Sequence, residues 1–363
     1  MKIMTVIGSR PEIIQTAPVS RTFRQRGHHE ILVHTGQHYD YNMSDVFFED
    51  LDVPIPELNL GVGSGSHARQ TAEAMIRLES AMFREKPDYV VVFGDTNSTV
   101  AASMAAAKLN RPIAHIEAGL RSFDRRMPEE TNRIVTDHLS TLLFAPTQVA
   151  VDNLKREGIV ENVFLVGDVR VDLVLGLRKR AALRRDALLA RTSIKPGVPF
   201  ILATIHRAAN TDNPERLRGI VQALNELDLP VILPMHPRLV KMVKTFELRF
   251  GPNVRCVDPL GFLNMIALLD ACEVVITDSG GLQKESYMLR RPTVTIRDTT
   301  EWVETLYSGW NRLCIPDPVG VQAAVYDARH EIPLEHPDYY GTYGTCERLT
   351  IVLETQFTIE AGV

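Results

Sequence analysis

Short apolar, β-branched runs alternate along this chain with longer stretches in which apolar and polar residues recur at helical spacing. The runs predict strands over 2–8, 30–35, 89–94, 112–116, 142–146 and 163–166. A second series follows over 200–204, 230–234, 254–257, 273–277, 292–296 and 312–315. Helices are expected between most of them, among them 99–109, 148–157, 214–227 and 282–289. Such alternation implies parallel sheets covered on both faces by helices. The rhythm breaks at Gly167-Asp168, where a charged Arg/Leu/Ala segment of high helix propensity, 171–191, takes over until Pro196-Gly197. The expected organisation is therefore two doubly wound, Rossmann-like α/β domains facing across a cleft, 1–168 and 169–345, followed by a last amphipathic helix in 346–363.

Length and composition narrow the class. With 363 residues, 45% hydrophobic and 23% charged, the chain reads as an ordinary globular protein of two domains. Its net charge of −5 is spread over mixed signs, which argues against a nucleic-acid or polybasic membrane partner. No apolar run approaches the ~20 residues that span a bilayer. Residues 1–8 read as the first strand rather than as a signal segment. Cys256, Cys272, Cys314 and Cys346 lack metal-ligand spacing and are expected to be buried free thiols. These features together point to a cytoplasmic enzyme.

Candidate chemistry gathers where the strands end, the edge at which parallel sheets bind ligands. One apolar run ends in Gly94-Asp95 and the next in Glu117, and Glu129-Glu130 opens the polar stretch that follows. Like charges in one crevice push carboxylate pKa values apart and so divide acid from base. Asp95 is equally readable as the cap of the next helix. Of the acidic pair, Glu129 is the better candidate for chemistry and Glu130 for a helix start. Arg133, one turn on, is placed to pair with either, and His115 reads as a core histidine. Arg10, in Gly8-Ser9-Arg10-Pro11-Glu12, stands at a strand end beside a helix N-terminus, either gripping phosphate or lying on the surface. In the second half, His206-Arg207 and His236 end adjacent strands. Ser279-Gly280-Gly281 admits a pyrophosphate or simply packs tightly, and Glu285 suits a pair of ribose hydroxyls. Phe262 is read as base contact or core. No P-loop or G-x-G-x-x-G pattern occurs.

Taken together, these segments resemble the non-hydrolysing UDP-N-acetylglucosamine 2-epimerases. The matching stretches also include His34-Thr35-Gly36-Gln37-His38, His115-Ile116-Glu117-Ala118-Gly119-Leu120-Arg121 and Thr277-Asp278-Ser279-Gly280-Gly281. The resemblance implies a glycosyltransferase-B type fold whose last helix returns to the first domain. It implies Asp95, Glu117 and Glu129 as catalytic carboxylates, with His206 near the leaving group. It gives Arg10, Arg133, Arg207, Phe262, Ser279, Gly280, Gly281 and Glu285 to UDP, and needs neither cofactor nor metal. It further implies a homodimer, a role in cell-surface polysaccharide synthesis, and a second UDP-sugar acting as activator, with Gln37, His38, Arg69 and His236 as candidates. Residues 38–44 are similar to relatives that act on UDP-2,3-diacetamido-glucuronate, so the sugar is left open between that and N-acetylglucosamine. Two positions depart from the family pattern: Gln15 stands where a base is usual, and Ala209 where Glu is common. Ala209 keeps a weakly active UDP-sugar-binding homologue in view. A glycosyltransferase of the same fold has less need of three proton-transfer carboxylates.

Overall fold

The computed structural model describes residues 1–36 and 51–361. They form two compact units, residues 1–173 with 338–363, and residues 174–337. The sequence placed the first boundary at 168/169 and the return at 346; the units part at 173/174 and 337/338. All strand pairings among the described residues are parallel. Each unit is a doubly wound α/β layer structure, as expected.

The sheet of unit 1 has the order β3-β2-β1-β4-β5-β6-β7. Its strands are β1 (Lys2–Ile7), β2 (His29–His34), β3 (Leu58–Asn59), β4 (Tyr89–Phe93), β5 (Ile113–Ile116), β6 (Leu142–Ala145) and β7 (Val163–Leu165). The four helices that frame its functional edge are α1 (Arg10–Gln25), α2 (His67–Glu85), α3 (Asn97–Lys108) and α4 (Pro128–Leu139). Val90 to Phe93 are fully buried because helices cover both sheet faces, which is why these strands read as unbroken apolar runs. The helix α2 buries Gln70, Ala74, Leu78, Ala81 and Met82, one stripe at helical spacing, against the small residues of α3.

Unit 2 repeats the pattern in the order β10-β9-β8-β11-β12-β13. Its strands are β8 (Ile201–Thr204), β9 (Val231–Pro234), β10 (Val254–Val257), β11 (Val274–Thr277), β12 (Thr293–Ile296) and β13 (Asn311–Cys314). In both sheets the chain turns back on itself beside a central strand, at β1/β4 and at β8/β11, where a crevice opens outside the strand ends.

Expected strands and observed ones agree to within about a residue at most ends, given the usual scatter of such boundaries. The two-residue β3 was not expected, being too short to carry a period. Two helices begin earlier than anticipated, at Asn97 and Gly280, because Thr96 and Ser279 cap them. The thiols differ more. Cys272 and Cys346 are buried, but Cys314 is half-buried and Cys256 exposed. Both lie on the edge strands β13 and β10, where one side has no neighbour.

The last helix, Thr345–Ala361, belongs to unit 1, where Arg26 donates to Glu354 at 2.9 and 2.6 Å. Its start is pinned by Asp172, whose carboxylate accepts from the N–H groups of Gly344, Thr345 and Cys346 at 2.7, 3.1 and 2.8 Å. Replacing Asp172 by Ala orphans two buried donors and one half-buried one, and is expected to lower the unfolding free energy by about 2–4 kcal/mol. An unchanged urea midpoint would show that these bonds contribute nothing net.

Candidate active site

In unit 1, Phe93 of β4 lies opposite Ile116 of β5, so the residues after them, Gly94-Asp95 and Glu117, leave the sheet side by side. The first turn after β1 closes tightly: a Cβ on Gly8 would stand 2.0 Å from Ser98 Oγ. Glu117 has φ 71, a left-handed backbone that costs a non-glycine residue energy and collects at functional sites. Gln15, buried on α1, donates its Nε2 to Glu117 Oε2 at 2.7 Å.

Asp95 is not a helix cap. That task falls to Thr96, whose hydroxyl accepts from Thr99 N at 3.2 Å. Asp95 instead meets Arg133, while Asn132 Nδ2 holds its carbonyl at 2.8 Å. Arg133 also donates to Glu130 Oε2 at 3.1 Å, so it pairs with Asp95 and Glu130 in this structure. Burial pushes the Asp95 carboxyl above its ordinary value against the pull of Arg133, and the charges of Glu117 and Glu129 push the same way. The charges of two further carboxylates thus bear on Asp95.

The neighbouring acids do structural work. Glu130, 1% exposed, accepts from the N–H groups of Ser122 and Phe123 at 2.8 and 2.9 Å. Burial raises it, but those bonds and Arg133 outweigh burial and its pKa falls. Glu129, the other member of the pair, is half-buried. His115 is wholly buried, with Nδ1 2.7 Å from Asp137 and Nε2 2.8 Å from the Gly94 carbonyl. Asp137 also accepts from Arg121 at 2.7 Å and from Gly119 N at 3.2 Å. Burial is again outweighed, by His115 and Arg121, and Asp137 stays below its usual range. Arg10 is the first residue of α1, and Arg69 is exposed in the first turn of α2. Gln37 and His38 lie outside the described residues.

In unit 2, Leu202 of β8 pairs with Ile232 of β9, and continuing that register sets His206 beside His236. Their ring centroids are 5.4 Å apart. Asp278, fully buried after β11, organises the loop beyond β8. It accepts from His206 N, Arg207 N and Asn210 Nδ2 at 3.0–3.1 Å, and His206 Nδ1 is 3.1 Å away. Burial pushes Asp278 up, but these donors hold it below its usual value. Arg207 Nη2 is 3.9 Å from Glu301, and Ala209 is exposed in the short helix Ala208–Thr211.

Ser279 caps the helix Gly280–Met288, its hydroxyl accepting from Leu282 N at 3.4 Å. Gly280 and Gly281 are therefore its first two residues, and Glu285 is buried in its second turn. A Cβ at Gly280 would fall 2.5 Å from Glu301 Oε1. Phe262 is 4% exposed at the start of the helix Phe262–Leu269, so its ring is core. A cavity of 480 Å³ within unit 2, lined in part by Met235, Cys256, Asp258 and Leu260, borders the turn before it. Among the described residues no three His, Cys, Asp or Glu side chains are grouped as a metal ion requires. Nor is any described helix long and apolar enough to cross a membrane.

Sequence reasoning missed Glu12, Asp278 and the role of Gln15. Glu12 accepts from Gly8 N and Ser9 N, both at 2.7 Å, and from Thr96 and Thr99. The Ser-x-x-Glu spacing of Ser9 and Glu12 was the available signal. For Asp278 it was an apolar run ending in an acid, the feature already noticed at Asp95.

Two parallel α/β units, each with its candidate residues beyond a switch point, match known structures of glycosyltransferase-B type fold. The family model for UDP-N-acetylglucosamine 2-epimerase matches residues 21–354. The UDP-N-acetylglucosamine 2-epimerase homolog of Methanococcus maripaludis is 48% identical over 317 residues, 86% of this chain and 88% of that protein. The UDP-2,3-diacetamido-2,3-dideoxy-D-glucuronate 2-epimerase of Pseudomonas aeruginosa is 48% identical over 320 residues, with the same coverage of 86% and 88%. The crystal structure of Methanocaldococcus jannaschii UDP-GlcNAc 2-epimerase in complex with UDP-GlcNAc and UDP superposes with a TM-score of 0.87. It is 39% identical and covers 98% of this chain and 100% of its own. The chain belongs to the UDP-N-acetylglucosamine 2-epimerase family, and so to the epimerases of UDP-sugars.

An acid held above its usual pKa is disfavoured as an anion in the folded state. Its ionisation therefore costs stability at neutral pH, a cost absent below the ordinary carboxylate range. Asp95→Asn removes that cost, and its urea midpoint at pH 7 is expected at or above that of the unmodified chain. A clear loss of stability would contradict the upward direction assigned to Asp95.

Proposed function

We propose that the protein interconverts UDP-N-acetylglucosamine and UDP-N-acetylmannosamine by inversion at C2. The observation that carries this reading is that Asp95 and Glu117 leave the sheet side by side, with Asp95 pushed up by burial and by the charges of Glu117 and Glu129. A C2–H bond next to an acetal carbon is not acidic. Breaking the C1–O bond first, with its electron pair leaving on the diphosphate, makes C1 cation-like and acidifies C2–H. A carboxylate then takes the C2 proton, giving 2-acetamidoglucal. A second group returns a proton to the opposite face of C2, and UDP adds back at C1. Such chemistry needs an acid and a base on opposite faces, and donors on the leaving diphosphate.

In this reading Asp95, Glu117 and Glu129 are the groups that exchange protons with the sugar. Arg10, Arg133 and Arg207 steady the diphosphate, with His206 near the leaving oxygen. Ser279, Gly280 and Gly281 supply helix N-terminal donors to the pyrophosphate. Glu285 takes the ribose hydroxyls, and the turn before Phe262 the base. A second UDP-sugar near Arg69 and His236 as activator, a homodimer and a cytoplasmic location complete the reading. The 48% identity to the Pseudomonas enzyme favours a second one, with UDP-2,3-diacetamido-2,3-dideoxy-D-glucuronate as substrate of the same reaction.

Proton NMR of the protein with UDP-N-acetylglucosamine in deuterated water decides between them. Deuterium at C2 and the appearance of the manno epimer are expected; exchange only into the diacetamido-uronate would select the second reading. Asp95→Asn, Glu117→Gln and Glu129→Gln are each expected to lower turnover at least about a hundredfold with UDP affinity nearly unchanged. Turnover surviving in all three would refute the carboxylate roles. Glu285→Ala shows the reverse pattern, weakening UDP by about tenfold, the worth of a hydrogen bond to a charged group; unaltered UDP affinity would remove Glu285 from the ribose.

A further inference from the structure

Gln15 is 2% exposed on α1, whose buried acid Glu12 lies one turn earlier and accepts from Gly8 N after β1 and from the Thr99 hydroxyl. A buried primary amide is costly unless its donors are used. Here the amide nitrogen is 2.7 Å from Glu117 Oε2, and an ionised carboxylate only accepts, so the N–H₂ face must be turned to it. The contact joins residues 102 positions apart and reaches a carboxylate carried on a left-handed backbone.

We propose that Gln15 is a positioning residue for Glu117, fixing the plane of its carboxylate and tuning its basicity through a neutral donor. This rests on the epimerase reading, in which Glu117 exchanges a proton with substrate. An amide favours the anion by one hydrogen bond, whereas an ammonium group adds the attraction of a full charge and makes a weaker base. Glu117, Glu129 on α4 and Arg133 on α4 all bear on Asp95 after β4; His115, two residues back on β5, is tied to Asp137. A neutral donor adds no positive charge to this group of carboxylates.

Two substitutions test this. Gln15→Met keeps length and removes the donor; Gln15→Lys keeps a donor and adds charge. In Gln15→Met, kcat for C2 exchange is expected to fall about ten- to a hundredfold, the worth of a hydrogen bond to a charged group. KM and UDP affinity should stay within about twofold, because the bond acts on the proton-transfer group and not on the nucleotide. The acidic limb of kcat should move up by about one pH unit in Gln15→Met and down in Gln15→Lys, since loss of a donor raises a carboxyl pKa and a cation lowers it. Carbon-13 NMR of the Glu117 carboxyl, assigned with Glu117→Gln, should titrate in the same opposite directions without any turnover. Titrations unmoved, or moved the same way in both variants, overturn the proposal whatever the activity. Opposite titrations in a protein that exchanges no C2 proton from either sugar nucleotide support the coupling and overturn the epimerase reading instead.

Discussion

A strand leaving a parallel sheet frees backbone N–H groups that neither neighbour accepts, and in this protein buried carboxylates take them. Glu12 serves Gly8 and Ser9, Asp137 serves Gly119, and Glu130 serves Ser122 and Phe123. Asp278 does the same for His206 and Arg207. A negative charge out of water survives only when several donors converge on it, so each of these acids dictates the path of the loop around it. The turns that carry Asp95, Glu117 and His206 are therefore held by chemistry separate from the groups that would act on a substrate.

The two kinds of acid are told apart by what surrounds them. Asp137, Asp278 and Glu130 meet cations or backbone donors and lie below their usual pKa despite burial. Asp95 has one cation, Arg133, but also Glu117 and Glu129, and lies above. Glu12 is instructive as an exception: four hydrogen-bond donors do not overcome its burial, and its pKa is raised. No guanidinium is among the partners given for Glu12, whereas Glu130 and Asp137 each have an arginine beside the carboxylate.

The sheets were legible because both faces are covered, which leaves apolar runs such as Val90 to Phe93 with no polar interruption. β3 was not, since two residues carry no period. The site was legible where an acid or a histidine follows such a run, as at Asp95, Glu117 and His206. Two readings of Asp95 were open until Thr96 proved to be the cap, a matter of backbone geometry one residue away. Glu129 and Glu130 share residue type and helical turn, and what separates them is the return of Ser122 and Phe123 from a loop before the helix. The role of Gln15 was illegible for the same reason: its partner stands 102 positions off, and no local pattern announces an amide aimed at a carboxylate.

Asp172 leaves the ribosome long before its partners do. Its three donors, Gly344, Thr345 and Cys346, are 172 to 174 residues further on, and the whole of unit 2 is synthesised in between. Unit 2 is one continuous stretch, free to condense as soon as it emerges, whereas unit 1 begins first and is sealed last. Contacts of such sequence separation are slow to form because the loop between them must close before they contribute. Until residues 338–361 have emerged, unit 1 therefore stays open at the edge where the helix Thr345–Ala361 docks, a window in which exposed apolar surface is a hazard.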